Sequence, residues 1–192
     1  MEGRKDFPYQ SLGLKYLASR GDLVIGRVLS RHGDYIRVDI ADRFEALLQY
    51  YDFEGATKKN RPRLDTDSII YAKVERANPH MNTILTCKSV ENKKSWSSGE
   101  AKFGPLTGGL VFECPIALCQ MLLREEGEKI LREIGRMTSY EVVVGYNGRI
   151  WINSKSSTAT ILIYNTIIKM DVMTTEEISE LLNKLGGVLR GK

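Results

Sequence analysis

Two histidines, three cysteines and 24 carboxylates are all that this 192-residue chain offers for acid–base, nucleophilic or metal chemistry. Their spacing assembles no reactive site. His32 sits in an Arg-His-Gly-Asp turn and His80 follows Pro79, and neither lies in a cluster of acids. Asp65 and Asp67 can cap a turn, but two carboxylates alone do not make a cation site. Cys114 and Cys119 flank Pro115 without a C-x-x-C pair. Metal ligation needs four converging donors, so Cys87, Cys114 and Cys119 read as small buried hydrophobes. No metal and no cofactor is expected. Phosphodiester hydrolysis lacks both its clustered acidic ligands and its positioned imidazoles, so no catalytic residue is assigned and the chain reads as a non-enzyme.

Binding chemistry is better represented. In Tyr35-Ile-Arg-Val-Asp-Ile40 the period of two puts Ile36, Val38 and Ile40 on one face and Tyr35, Arg37 and Asp39 on the other. A ring on an exposed strand stacks a base and a neighbouring guanidinium meets a phosphate. The plain alternative is an ordinary exposed strand face. Downstream, Lys58, Lys59, Arg61 and Arg63 crowd a loop whose Pro62 forbids a helix through them. Such a loop meets a phosphate backbone, docks on an acidic protein surface, or is merely solvated.

These residues need elements to hold them. Short apolar segments follow one another at Leu23–Leu29, Tyr35–Ile40, Phe44–Phe53, Ser68–Val74 and Thr83–Cys87. Five short strands without a long helix predict a closed barrel of the OB type, whose second and third strands carry the oligonucleotide face. Gly26, inside the first strand, reads as a bend or bulge. The Lys- and Ser-rich stretch Asn92–Gly99 reads as a linker.

A second unit begins with the strand Leu110–Cys114. A helix over Ile116–Arg124 follows, then a break at Glu125-Glu-Gly-Glu128 and a helix over Lys129–Met137. Tyr140–Val144 and Arg149–Ile152 form a hairpin around Gly145-Tyr-Asn-Gly148, because Asn-Gly tolerates the positive φ of a tight turn. Thr158–Met170 is a third helix. Thr174-Thr-Glu-Glu177 caps a last one over Glu176–Leu185, ended by Gly186-Gly187. The order strand, helix, helix, strand, strand, helix is that of a type I KH domain. KH domains hold single strands with a G-x-x-G loop between their first helices. Here that position is Arg124-Glu-Glu-Gly127, with carboxylates where phosphate should sit, so a poor RNA clamp is expected. The fold class is α+β: a five-stranded OB-type (S1) barrel followed by a type I KH domain. The segments are 1–19 (a short N-terminal piece), 20–90 (barrel), 91–108 (linker) and 109–192 (KH).

Composition agrees with intracellular binding. The chain is 42% hydrophobic with net charge +4 and pI near 8.9, compatible with nucleic acid without requiring it. No apolar run approaches a membrane span and the N-terminus lacks an apolar signal core, so no membrane partner is expected.

Three stretches carry a resemblance to a known family: Gly21-Asp-Leu-Val-Ile-Gly26, Phe53-Glu-Gly-Ala-Thr-Lys-Lys-Asn-Arg-Pro62 and Gly145-Tyr-Asn-Gly-Arg-Ile-Trp151. An S1 barrel followed by a KH domain bearing G-x-N-G resembles the cap subunits of the RNA exosome. The second stretch is similar to the exosome component three (Rrp-forty) type. The resemblance spans about residues 20 to 190. It implies a non-catalytic subunit on a ring of RNase PH-like proteins, beside the other cap subunits. Such a subunit stabilises the ring and guides single-stranded RNA into the channel for 3′-to-5′ processing, including that of rRNA, and degradation. Nucleus, nucleolus and cytoplasm are the implied locations. The candidate RNA contacts are Tyr35, Arg37, Lys58, Lys59, Arg61 and Arg63. The family's motif falls on Gly145, Asn147, Gly148 and Trp151 and is similar to a structural junction between the two units. Alternation supports the junction: Ile150 and Ile152 suit the KH helices, whereas Trp151 and Arg149 share the other face, which a packed barrel would cover. The family usually carries a β-rich N-terminal domain, of which Tyr9–Leu17 reads as a remnant. The competing functions are a sibling cap subunit, a structural clamp without RNA contact, a free-standing S1 regulator and an independent ribonuclease.

Overall fold

The computed structural model describes residues 15–190, apart from Asn92 and Gly99. Most of the proposed N-terminal remnant Tyr9–Leu17 lies outside the described residues. Buried apolar side chains separate into two cores, one built from residues before 104 and one from residues after 111.

The first core is enclosed by β1 (Leu23–His32), β2 (Tyr35–Asp39), β3 (Ala46–Phe53), β4 (Ile69–Asn78) and β5 (Met81–Cys87). The strands neighbour one another in the order β1-β2-β3-β5-β4, and β1 pairs back onto β4, which closes the barrel. The β3–β5 pair is parallel and the others are antiparallel. Alternation works as expected: Ile36, Val38 and Ile40 are fully buried, while Tyr35 and Arg37 face out. Closure gives every strand two neighbours, so the apolar face of each is covered and the start of β1 is the stretch left unpaired by β2.

Gly26 is not a bend. It pairs regularly with Ile70, and the β1 irregularity falls instead between Val28 and Ser30. A Cβ at Gly26 would lie 2.3 Å from Val38 Cγ1, so glycine is required there by close approach across the barrel. The linker also differs from expectation. Trp96 lies in a 3₁₀ turn, packs on the barrel core and donates its backbone N–H to Glu54 O. Phe103 is buried against Tyr71. Gly104–Leu106 then forms β6, which pairs with β4. Two aromatic anchors among lysines and serines bind the segment to the barrel.

The second unit contains β7 (Leu110–Glu113), α1 (Ile116–Leu122), α2 (Glu125–Met137), β8 (Tyr140–Val144), β9 (Arg149–Ser154), α3 (Ser157–Lys169) and α4 (Thr175–Arg190). Its sheet is antiparallel in the order β7-β9-β8. Ile150 and Ile152 of the central strand are fully buried in the core that the helices share. The break expected at Glu125-Glu-Gly-Glu128 is absent: α2 begins at Glu125, and only Leu123 and Arg124 separate it from α1. No G-x-x-G loop stands at this place. Gly127 lies in the first turn of α2, where a Cβ would come within 2.3 Å of Leu122 Cα. The two helices pack too closely for any side chain there. At the far end α4 runs through Gly186 and Gly187 to Arg190. Gly186 is buried beside Met137, so packing offsets its poor helix propensity. The α4 cap is as expected: Thr174 and Glu177 exchange hydrogen bonds as a capping box.

Candidate nucleic-acid interface and the seam behind it

The Gly145–Gly148 turn closes the β8–β9 hairpin and is aimed at the barrel. Gly145 N–H donates to Arg149 O at 2.9 Å, and Gly148 takes a φ of +73°. Strand β1 is unpaired by β2 before Arg27, so backbone groups of Leu23 and Ile25 lie open on that side. The turn fills the gap. Tyr146 N–H donates to Leu23 O at 2.8 Å. The Asn147 carboxamide accepts from Ile25 N–H at 3.2 Å and donates to Ile25 O at 2.8 Å and Ile40 O at 3.0 Å. One amide thus does for Ile25 what a neighbouring strand would do, and it also ties the end of β2. Asn147 is 3% exposed, so water does not share these bonds. A Cβ on Gly145 would sit 2.4 Å from Asn147 Oδ1, so the first glycine clears the space for the asparagine.

Arg149 makes a second bridge, which the sequence reading missed as a junction residue. Its Nη1 donates to Asp39 O at 2.8 Å and its Nη2 to Asp39 Oδ2 at 2.7 Å, while Glu113 lies 3.3 Å from Nη2. Arg149 is 8% exposed, and a buried guanidinium needs such partners because a lone one is too costly to bury. The partner is 110 positions away in sequence and left no trace nearby. Burial alone would raise the Asp39 carboxyl; the Ala41 N–H and the Arg149 guanidinium, with Arg27 beside them, hold it below its ordinary 3.8. A depressed carboxyl stabilises the fold above its unfolded value and loses that contribution as pH falls through the folded one. The seam is therefore expected to weaken below about pH 4. Acid titration followed by near-ultraviolet dichroism should show a transition that Asp39→Asn removes, and a profile identical in the two proteins would count against the bridge.

Trp151 is 5% exposed, and its indole N–H donates to Gly108 O at 2.9 Å. Gly109, at φ +71°, is so close that a Cβ would lie 3.0 Å from Nε1. The polar partner of the ring is therefore the strap entering β7, and Arg149 of the same strand hydrogen-bonds the barrel.

Tyr35 opens a shallow groove of about 570 Å³ on the outer face of the barrel. Leu47 and Gln49 of β3, Met81 and Ile84 of β5 and Arg76 of β4 also line it. Tyr35 is 43% and Met81 65% exposed, so both side chains are available at the groove surface. Gln49 donates to the Tyr35 hydroxyl at 3.0 Å, which holds the ring in place. Arg37 is paired with Glu45 and presents less free charge than expected. The β5 side chains were beyond the sequence reading, because the parallel β3–β5 pairing that brings them beside Leu47 is non-local.

The basic loop is an ordered turn. Thr57 N–H donates to Asn60 O and Asn60 N–H to Thr57 Oγ1, while Pro62 and Leu64 are buried. Arg61 stacks over the Tyr50 ring at 4.9 Å, and Tyr50 N–H donates to Asp34 O beside the start of β2. The loop therefore stands at the Tyr35 end of the barrel, with Lys58, Lys59 and Arg63 exposed.

Comparison with known proteins follows the same division. Residues 16–99 match the S1 domain of exosome complex component RRP40, and residues 109–158 match the KH domain family. The Drosophila melanogaster exosome complex component RRP40 is 37% identical over 176 residues, covering 92% of this chain and 73% of the relative. The Homo sapiens exosome complex component RRP40 is 33% identical over 89% of this chain and 60% of its own length. A solved structure described as an exosome complex RNA-binding protein superposes with a TM-score of 0.71 at 21% identity, covering 91% of this chain and 97% of that one, a likeness of fold. With barrel and KH unit in the same order as their matched domains, and a relative at 37% identity across most of both chains, this chain belongs to the exosome complex component RRP40 family.

Proposed function

We propose that this chain is a non-catalytic, RNA-binding cap subunit of an exosome complex, in which single-stranded RNA crosses the outer face of the barrel. The groove carries the reading. It offers bases an anchored tyrosine, the exposed Met81 and the half-buried Leu47 and Ile84, with a cationic loop at one end for phosphates and the carboxylates Asp52 and Glu75 also in its lining. Stacking of this kind accepts any sequence, which suits a subunit that passes RNA along. In this reading cleavage belongs to other subunits of the complex. The proposal extends to a seat on the ring of RNase PH-like subunits beside other cap subunits, in nucleus, nucleolus and cytoplasm. Docking of the basic loop on an acidic ring surface is the competing reading. Gly55, Ala56, Thr57 and Asn60 do not favour it, because each has a task within the loop. Gly55 takes φ +74° against Ser95, Ala56 packs on the barrel core, and Thr57 closes the turn with Asn60.

Fluorescence anisotropy with a labelled single-stranded RNA, repeated across salt concentrations, tests the proposal. Combined Tyr35→Ala and Met81→Ala is expected to weaken binding about 5- to 100-fold, the range for losing a base-stacking platform. Replacing Lys58, Lys59, Arg61 and Arg63 by alanine should lower the salt slope by up to about 3, at roughly 0.7 per phosphate contact on a single strand. Affinity unchanged in both variants would leave the structural clamp as the better description. RNA shortened by the purified chain in magnesium would overturn the non-catalytic reading.

A further inference from the structure

Cys114 and Cys119 lie on a junction that the RNA-binding reading does not use. Cys114 is the residue between β7 and Pro115, and Cys119 faces inward from α1. Pro115, extended at φ −55° and ψ 137°, turns the chain so that both side chains meet beneath the helix start. Their Sγ atoms are 3.2 Å apart. Cys114 is half-buried and Cys119 fully buried. The pair adjoins the seam, because Cys114 N–H donates to Gly148 O at 2.9 Å. Cys87 provides the contrast: a lone buried thiol inside the barrel, near Tyr71 O.

We propose that Cys114 and Cys119 form a reversible oxidation site, which takes a hydroperoxide and closes to an intramolecular disulfide under the seam turn. The Cys114 thiolate attacks the peroxide oxygen. A sulfur–oxygen bond forms, the oxygen–oxygen bond breaks, and the departing hydroxide takes up a proton as water. The Cys119 sulfur then attacks the sulfenic sulfur. The sulfur–sulfur bond forms, the sulfur–oxygen bond breaks, and hydroxide leaves with the Cys119 proton as a second water. Peroxide is reduced and two thiols are oxidised, so the electrons balance. The order of events follows from access. Contact with Cys114 and burial push the Cys119 thiol well up, which makes it a poor first target and leaves it the resolving partner. A small thiol such as glutathione reverses the bond by exchange. The full S–S bond is about 2.05 Å long, so closure draws the two sulfurs together and staples β7 to α1.

The test is to expose the intact chain to hydrogen peroxide, then denature it, block free thiols and digest with trypsin. Cys114 and Cys119 fall in one peptide, Phe103–Arg124. That peptide is expected to be two hydrogens lighter and unblocked, with Cys87 still blocked. Glutathione before blocking should restore all three thiols. In Cys119→Ala, Cys114 should stop at the sulfenic acid and be trapped by dimedone many times faster than Cys87. Three free thiols after peroxide, loss of Cys87 at the same rate, or a product that glutathione does not reverse would each overturn the proposal. The measurement on the unaltered chain decides the matter even if the variant fails to fold.

Discussion

Asn147→Ala is expected to destabilise the chain by about 2–4 kcal/mol and to split one thermal transition into two. The substitution removes one carboxamide at the heart of the seam: Ile25 N–H and Ile40 O lose its bonds, and Ile25 O keeps only the long 3.5 Å bond from Arg149 Nη1. Each buried orphan costs about 1–3 kcal/mol, and water entering the opened seam trims the sum. Neither core contains Asn147, so barrel and KH unit should each stay folded and lose only their coupling. Asn147→Asp should be worse than alanine, because it turns a carboxylate onto two carbonyl oxygens. Gly145→Ala should reproduce the effect with the asparagine intact, since its Cβ would sit 2.4 Å from Asn147 Oδ1. Differential scanning calorimetry checks all three variants. A single transition within about 0.5 kcal/mol of the parent, the level of an inert surface substitution, would remove Asn147 from the seam's energetics.

Trp151→Ala is expected to cost about 3–5 kcal/mol, the range for deleting a large buried aromatic side chain. The loss has two parts. The indole area beneath the 108–109 strap becomes a cavity, and Gly108 O loses its donor. Trp151→Phe separates them, because it keeps most of the ring and should cost only the missing hydrogen bond, about 1–3 kcal/mol. The damage should fall on the KH unit, where Trp151 pairs with Val111 and Val143 at the centre of the sheet. RNA affinity measured well below the melting temperature should hold, because the groove lies on the barrel. A melting curve that did not move, together with lost RNA binding, would make Trp151 a stacking residue and disprove its packing role.

Much of the architecture is legible from local pattern. The barrel strands show a period of two, the KH helices show helical spacing, and the capping box and the Asn-Gly turn are local chemistry that no distant contact overrides. Tyr35 and Arg37 were found as exposed strand residues for the same reason. The rest of the groove was not found, because Met81 and Ile84 reach it through pairing of β3 with β5, and periodicity within one strand does not name its neighbour. The seam was half legible. Asn147 and Gly148 stand out in a turn, whereas Arg149 reads as the polar half of an alternating strand until Asp39 is brought to it.

The glycines draw the line most clearly. At Gly148 the local reading is sufficient, since a positive φ is a property of the backbone itself and Asn-Gly advertises it. At Gly26, Gly127 and Gly186 the same residue type suggests a bend, a break and a stop, yet all three lie within continuous elements. At Gly26 and Gly127 their role is the absence of a Cβ where Val38 and Leu122 come within 2.3 Å, whereas at Gly186 a Cβ would meet Met137 at an ordinary 3.4 Å. Propensity is fixed by the covalent chain and is written in the residue and its near neighbours. Close approach depends on which surfaces meet after the chain has folded, so it is invisible until distant segments are packed together.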